Sequence, residues 1–118
     1  MKPEIEDLVE KFRDELASAL GSNLEHLILY GSRARGDEEP DSDLDLLVVL
    51  RESSHNANEA IHGIAYKLMW DRDFRPLISV NIIDREHYQL LREAGSTYLN
   101  NILHEGIPLW PPIDSPHS

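Results

Sequence analysis

The sequence predicts an α+β domain, a small mixed sheet of three or more strands packed with helices. Three observations predict it. Apolar runs of strand length recur at Leu24–Tyr30, Asp43–Leu50 and Leu77–Ile83. The longer segments between them repeat apolar residues every three or four positions, the period of a helix with one buried face. Glycine, proline, serine and aspartate mark the junctions. At 118 residues the chain is near the common size of one domain. We read one domain over 1–110 and a proline-containing tail over 111–118 that is expected to be disordered.

The first helix is expected over Pro3–Leu20, with Ile5, Leu8, Val9, Phe12, Leu16 and Leu20 on one face. Pro3 suits its first turn and Gly21 the position just past its end. Leu24–Tyr30 follows as a strand; His26 within it has no metal-ligand companion and reads as structural. Arg33-Ala34-Arg35 suits a short helical turn, and Gly36–Ser42 is a polar loop. In the strand Asp43–Leu50 the segment Leu46–Leu50 is apolar on both faces, which places it centrally in the sheet. Ser53, Ser54 and Asn56 are cap candidates for a helix over Ala57–Trp70. Its stripe is Ala57, Ala60, Ile61, Ile64, Ala65, Leu68 and Met69, with Trp70 expected in the core. After the strand Leu77–Ile83, Asp84 caps a helix that runs to Ala94, and Ser96 caps another that Gly106 stops. Ile107–Trp110 is a short apolar segment without an assigned structure.

Composition narrows the function classes. The formal net charge is −11, so nucleic-acid backbone is repelled and direct nucleic-acid binding is disfavoured. A basic protein partner or a metal-bound nucleotide remains compatible with that charge. No cysteine is present, which removes disulfides and thiolate metal sites, and the six histidines are scattered without zinc-type spacing. No apolar run is long enough to span a membrane, and MKPEIEDLVEKF does not read as a signal peptide. A cytoplasmic protein is the simplest reading.

The stretch Tyr30–Leu50, YGSRARGDEEPDSDLDLLVVL, carries the chemistry. Gly31 lets backbone approach a ligand because no Cβ stands in the way. Ser32 adds a hydroxyl and an N–H where a helical turn begins, a place suited to phosphate. Asp43 and Asp45, two apart on a strand, point to one face. Two adjacent carboxylates repel each other, and a divalent cation relieves that repulsion. Hard oxygen ligands suit Mg²⁺, which binds through one or two carboxylates together with substrate phosphates.

Gly31-Ser32, then ten residues from Arg33 to Ser42, then Asp43-Leu44-Asp45, resembles the signature of nucleotidyltransferases of the DNA polymerase beta superfamily. The form GSRARG followed by DSDLDL is most similar to the minimal nucleotidyltransferases of bacteria and archaea. Some of these, the MntA-like proteins, are the antitoxin partner of a HEPN-domain ribonuclease toxin. The resemblance implies the polymerase beta-like fold, with triphosphate on the Gly31-Ser32 turn and Mg²⁺ held by Asp43 and Asp45. It implies transfer of a nucleoside monophosphate, AMP from ATP, to a hydroxyl of a HEPN-type protein partner. Arg33 and Arg35 either add positive charge at the nucleotide phosphates or pair with the acids at positions 37 to 41. Many superfamily members carry a third carboxylate on the next strand. Here Leu77–Ile83 has none; Ser79 stands about where it is expected, and Asn81 is the next polar candidate. Slower catalysis, a group supplied by a partner or a second copy, and loss of activity are the alternatives. The rival functions are an antitoxin acting by binding alone and nucleotidyl transfer to a small-molecule hydroxyl.

Overall fold

A computed structural model describes residues 1–37, 39 and 42–112 of the chain. Among the described residues there are four strands and five α-helices, the last two helices following one another before the final strand. The helices are α1 (Pro3–Leu20), α2 (Ser32–Arg35), α3 (His55–Trp70), α4 (Arg85–Glu93) and α5 (Thr97–Glu105). The strands are β1 (Leu24–Tyr30), β2 (Leu44–Leu50), β3 (Ile78–Asp84) and β4 (Ile107–Trp110). The sheet order is β3-β2-β1-β4. β1 is antiparallel to both β2 and β4, whereas β2 and β3 run parallel and are joined through α3. The mixed sheet of the expected α+β class is therefore present, with one strand more than the three apolar runs.

The period of two along β2 divides its side chains between two cores. Leu44, Leu46, Val48 and Leu50 pack with α1 and α3, through Ile5, Leu8, Phe12, Leu16, Ile61, Ala65 and Leu68. Leu47 and Val49 pack on the other face with Ile28, Tyr88 of α4, and Leu99 and Ile102 of α5. β2 is thus buried on both sides. Fully burying each such aliphatic side chain is worth about 1.5–3 kcal/mol, which holds the start of the strand in place. His26 stacks on Tyr88 with ring centroids 5.1 Å apart, and burial pushes its pKa down, as suits a structural imidazole.

The helix ends follow side-chain chemistry. Pro3 opens α1, where its missing N–H costs nothing, and Gly21 follows it. Ser54, Asp84 and Ser96 accept the N–H groups of Ala57, His87 and Leu99 and so start α3, α4 and α5. Ser54 starts α3 two residues before the expected Ala57. Trp70 departs from expectation: it is exposed, because the stripe through Ala57, Ile61, Ala65 and Leu68 faces the core and position 70 lies off it. The disorder expected of the tail falls, from residue 113 onward, outside the described residues.

Ile107–Trp110 forms β4, and its entry depends on Gly106. A Cβ there would run into the Ile102 carbonyl oxygen, come within 2.6 Å of Ile28 Cγ2 and lie 3.1 Å from the Leu29 carbonyl. Gly106→Ala is therefore expected to lose about 1–3 kcal/mol by overpacking. Urea denaturation measures this, and a loss within error of zero would mean that the α5–β4 junction yields freely.

Candidate active site

The end of β1, the short helix α2 and the start of β2 bring the sequence-predicted residues to one corner of the sheet. Tyr30 pairs with Asp45 across β1 and β2, and Asp45 pairs with Ser79 across β2 and β3. Gly31 adopts φ 79°, ψ −161°, a conformation suited to glycine. A Cβ on it would collide with Asp45 Oδ2. The chain thus uses the missing side chain to press its turn against a carboxylate. Gly31 C=O accepts from Ala34 N–H at 3.1 Å and Arg35 N–H at 3.2 Å, which closes the turn. Ser32 N–H and its hydroxyl make no hydrogen bond among the described residues.

Asp43 is exposed just before β2 and Asp45 is half-buried within it. Burial raises the Asp45 pKa above the usual carboxylate value, the charge of Asp43 adds to the rise, and Arg35 opposes it. A carboxyl whose folded pKa is raised destabilises the fold once ionised. Stability is then lost as pH rises from the unfolded value, about 3.9, through the folded one. Asp45→Asn is accordingly expected to be more stable than the parent at neutral pH, with the difference closing below about pH 3. Denaturation curves at both pH values test this; a variant less stable at neutral pH would contradict it.

The two arginines separate. Arg35 is exposed, with Nε 3.1 Å from Asp37 Oδ2 and Nη1 3.5 Å from Glu105 Oε2. Arg33 is buried, and its Nε–H donates to the Ser42 carbonyl at 2.9 Å, which ties α2 to the residue before Asp43. On β3, Ser79 occupies the position beside Asp45. Asn81 is already engaged: its Nδ2 donates to Tyr30 Oη at 2.7 Å and to Tyr98 Oη at 3.0 Å. Burial, then Tyr98, and more weakly the Asp45 charge push the Tyr30 phenol up to about 12, so it stays protonated. Asp84 is spent as the α4 cap.

A cleft of about 310 Å³ adjoins this corner, lined by Tyr30, Gly31, Arg35, Tyr98, Asn101 and Glu105. Wider hollows, about 490 Å³ between α1 and α3 and about 730 Å³ along α3, lack an aligned acid pair beside a glycine turn. Sequence reasoning missed the cleft-lining residues of α5. Tyr30 was accessible in principle, because strand period and β1–β2 pairing put it on the face of Asp45. Tyr98 and Glu105 arrive through α5 packing, for which the sequence offers no local signal.

The site is thus a glycine turn pressed against one of two neighbouring carboxylates, on a mixed sheet covered by helices. The chain belongs to the nucleotidyltransferase domain family, whose model matches residues 9–102. It is 33% identical over 78 residues to "Putative protein adenylyltransferase" of Methanocaldococcus jannaschii, covering 64% of this chain and 79% of that one. Among solved structures it is similar to a toxin–antitoxin with AMP-PNP, at 25% identity and TM-score 0.54, over 86% of this chain and 72% of that one. It also resembles the spectinomycin adenyltransferase AAD(9) of Enterococcus faecialis with ATP and spectinomycin, at 19% identity and TM-score 0.71. That likeness shows the fold and spans 92% of this chain but 57% of the enzyme. Structures of the toxin–antitoxin MntA–HpeT share the fold at TM-score 0.51. Among the described residues no helix is long and apolar enough to cross a membrane.

Proposed function

We propose that this chain transfers AMP from ATP to a hydroxyl of a protein partner, and that the partner is a small helical HEPN-type toxin which the transfer neutralises. The carrying observation is the close approach of the Gly31 turn to Asp45, which supports a phosphate seat beside the acid pair. The likeness to a protein named as an adenylyltransferase and to a toxin–antitoxin with AMP-PNP supports the choice of nucleotide and partner.

The donor set fits Mg²⁺. Asp43 and Asp45 offer hard oxygens, and the raised Asp45 carboxyl gains from a positive neighbour. Among the described residues no group of three or more His, Cys, Asp or Glu could hold a metal ion, so an ion held by Asp43 and Asp45 would need phosphate and water ligands as well. Bound with the triphosphate, Mg²⁺ supplies charge neutralisation at the phosphate oxygens. The protein does the positioning. Gly31 admits the phosphates to the backbone, Ser32 N–H and Oγ are available to bond them, and Arg35 at the cleft edge adds positive charge. Arg33 serves nucleotide binding indirectly, by holding the loop that leads to Asp43. The acceptor oxygen forms a bond to the α-phosphorus as the bond to pyrophosphate breaks, and the hydroxyl proton passes to water.

The test is incubation with ATP labelled at the α-phosphate, Mg²⁺ and the product of the neighbouring gene. Label in the partner is expected; its absence with every nucleotide and candidate partner would refute the reading. The second reading, neutralisation by binding alone, is favoured by one observation: Ser79, not an acid, stands beside Asp45. The double variant Asp43→Ala, Asp45→Ala separates the two. Loss of neutralisation with the complex still formed supports transfer, and full neutralisation supports binding alone.

A further inference from the structure

β3 lies at the edge of the sheet, paired with β2 on one side only. Leu44 N–H donates to the Leu77 carbonyl. In this parallel ladder Leu77, Ser79, Asn81 and Ile83 therefore turn their backbone groups toward β2, and Ile78, Val80 and Ile82 turn theirs outward. Met69 Sδ takes the Ile78 N–H at 3.2 Å. From the Ile78 carbonyl to that of Ile82, the outward groups have no partner among the described residues.

Natural edges are guarded by shortness, proline, lysine or a bulge. Ile78–Asp84 is seven residues long with neither proline nor lysine, and its register with β2 is unbroken. A strand added here would stand about 4.8 Å beyond β3. One of its side chains would then fall opposite Ser79, in the cross-strand row that already holds Tyr30 and Asp45. Ser79 is short and exposed, so nothing tall separates that side chain from the acid pair.

Anchors lie at the same end. Trp70 and Tyr66 are 64% and 56% exposed and pack edge-on against Phe74, at 6.0 and 5.6 Å between centroids. Trp70 follows Met69, the residue that caps the edge. Leu77, 51% exposed, leads into β3. Exposed aromatics of this kind are typical interface anchors. Charge selects the occupant. The chain carries −11, Arg72 is spent on the Glu4 carbonyl and Asp7, and Arg85 on Glu25. A second copy would bring the same negative charge, whereas a basic segment is attracted.

We propose that the open edge of β3 receives an extended, basic, hydroxyl-bearing segment of the acceptor protein as a fifth strand, which sets its hydroxyl opposite Ser79 in the row of Asp45. This rests on the transfer reading above and adds the docking mode and the chemistry of the segment.

A short synthetic peptide of alternating lysine and valine with one central tyrosine is the probe. It is added with ATP and Mg²⁺ to ¹⁵N-labelled protein, and amide hydrogen exchange is followed by NMR. Exchange at Val80 and Ile82 is expected to slow by about tenfold or more, while the Ser79 and Asn81 amides, already in the ladder, are unchanged. Val80→Pro removes an outward N–H and spares the β2 pairing. It should abolish protection at Ile82 and cut label transfer to the peptide while ATP affinity by calorimetry stays the same. Unchanged exchange at Val80 and Ile82 in parent protein with ATP bound overturns the docking proposal and leaves the transfer reading standing. Transfer to the peptide by Val80→Pro at the parental rate also overturns it. So does protection that appears without peptide and grows with protein concentration, which would assign the edge to a second copy. Protection of both amides without label reaching the peptide or any protein acceptor supports the docking surface and refutes the transfer. Exchange in the parent decides the matter even if Val80→Pro does not fold.

Discussion

Asp43→Asn and Asp45→Asn are each expected to bind ATP equally with and without Mg²⁺, while the parent protein gains about ten- to a hundredfold from the metal. The reason lies at the mouth of β2. Two carboxylates leave most of an octahedral Mg²⁺ shell to other ligands, so the bare site should hold the ion weakly. Triphosphate oxygens seated at the Gly31 turn, as proposed, would add ligands and charge. Metal and nucleotide should therefore raise each other's affinity by one common factor. Asparagine keeps the shape and removes a charge, and that factor should collapse. Calorimetric titrations of ATP into parent and variant, with and without Mg²⁺, measure it. ATP binding that ignores Mg²⁺ in the parent, or a variant that keeps the full gain, would remove the acid pair as the metal seat.

Gly31→Ala should combine loss of stability with loss of the same coupling. Its φ of 79° strains any residue with a side chain, at about 1–3 kcal/mol. In addition the new Cβ would clash with Asp45 Oδ2, so the carboxylate must turn away. Gly95→Ala is the control, because Gly95 has φ 67° with nothing within 4 Å of a built Cβ. It should show the backbone strain alone, with nucleotide binding intact. If the two variants lose equal stability and Gly31→Ala keeps its response to Mg²⁺, the close approach of turn and carboxylate has no part in the site.

Much of this architecture is legible in the chain because local and global signals agree. α1 runs over Pro3–Leu20 as expected, since proline, glycine and an unbroken apolar stripe define it together. β1 and β2 emerge from runs too short and too apolar for surface helices. Strand period accounts for the direction of Asp45, whereas Asp43 lies just before β2, one residue short of the strand expected from position 43. What escaped depends on tertiary partners. β4 is four residues long and contains Pro108; only the vacant side of β1 makes it a strand. Trp70 looked like core by composition, and its rotation about the α3 axis puts it in solvent. Arg33 and Arg35 are chemically alike and two residues apart, yet α2 turns one inward to Ser42 and the other toward Glu105.

The place of β4 bears on how the protein is made. Translation delivers the glycine turn and both aspartates well before Ile107–Trp110, the strand that covers β1 and whose Trp110 indole donates to the Leu24 carbonyl at 3.1 Å. Until those four residues emerge from the ribosome, a nascent chain carries the Gly31 turn and both aspartates on a sheet with both flanks bare. Neighbouring nascent chains on one message would meanwhile have two sticky borders to mispair, of which β4 later seals one.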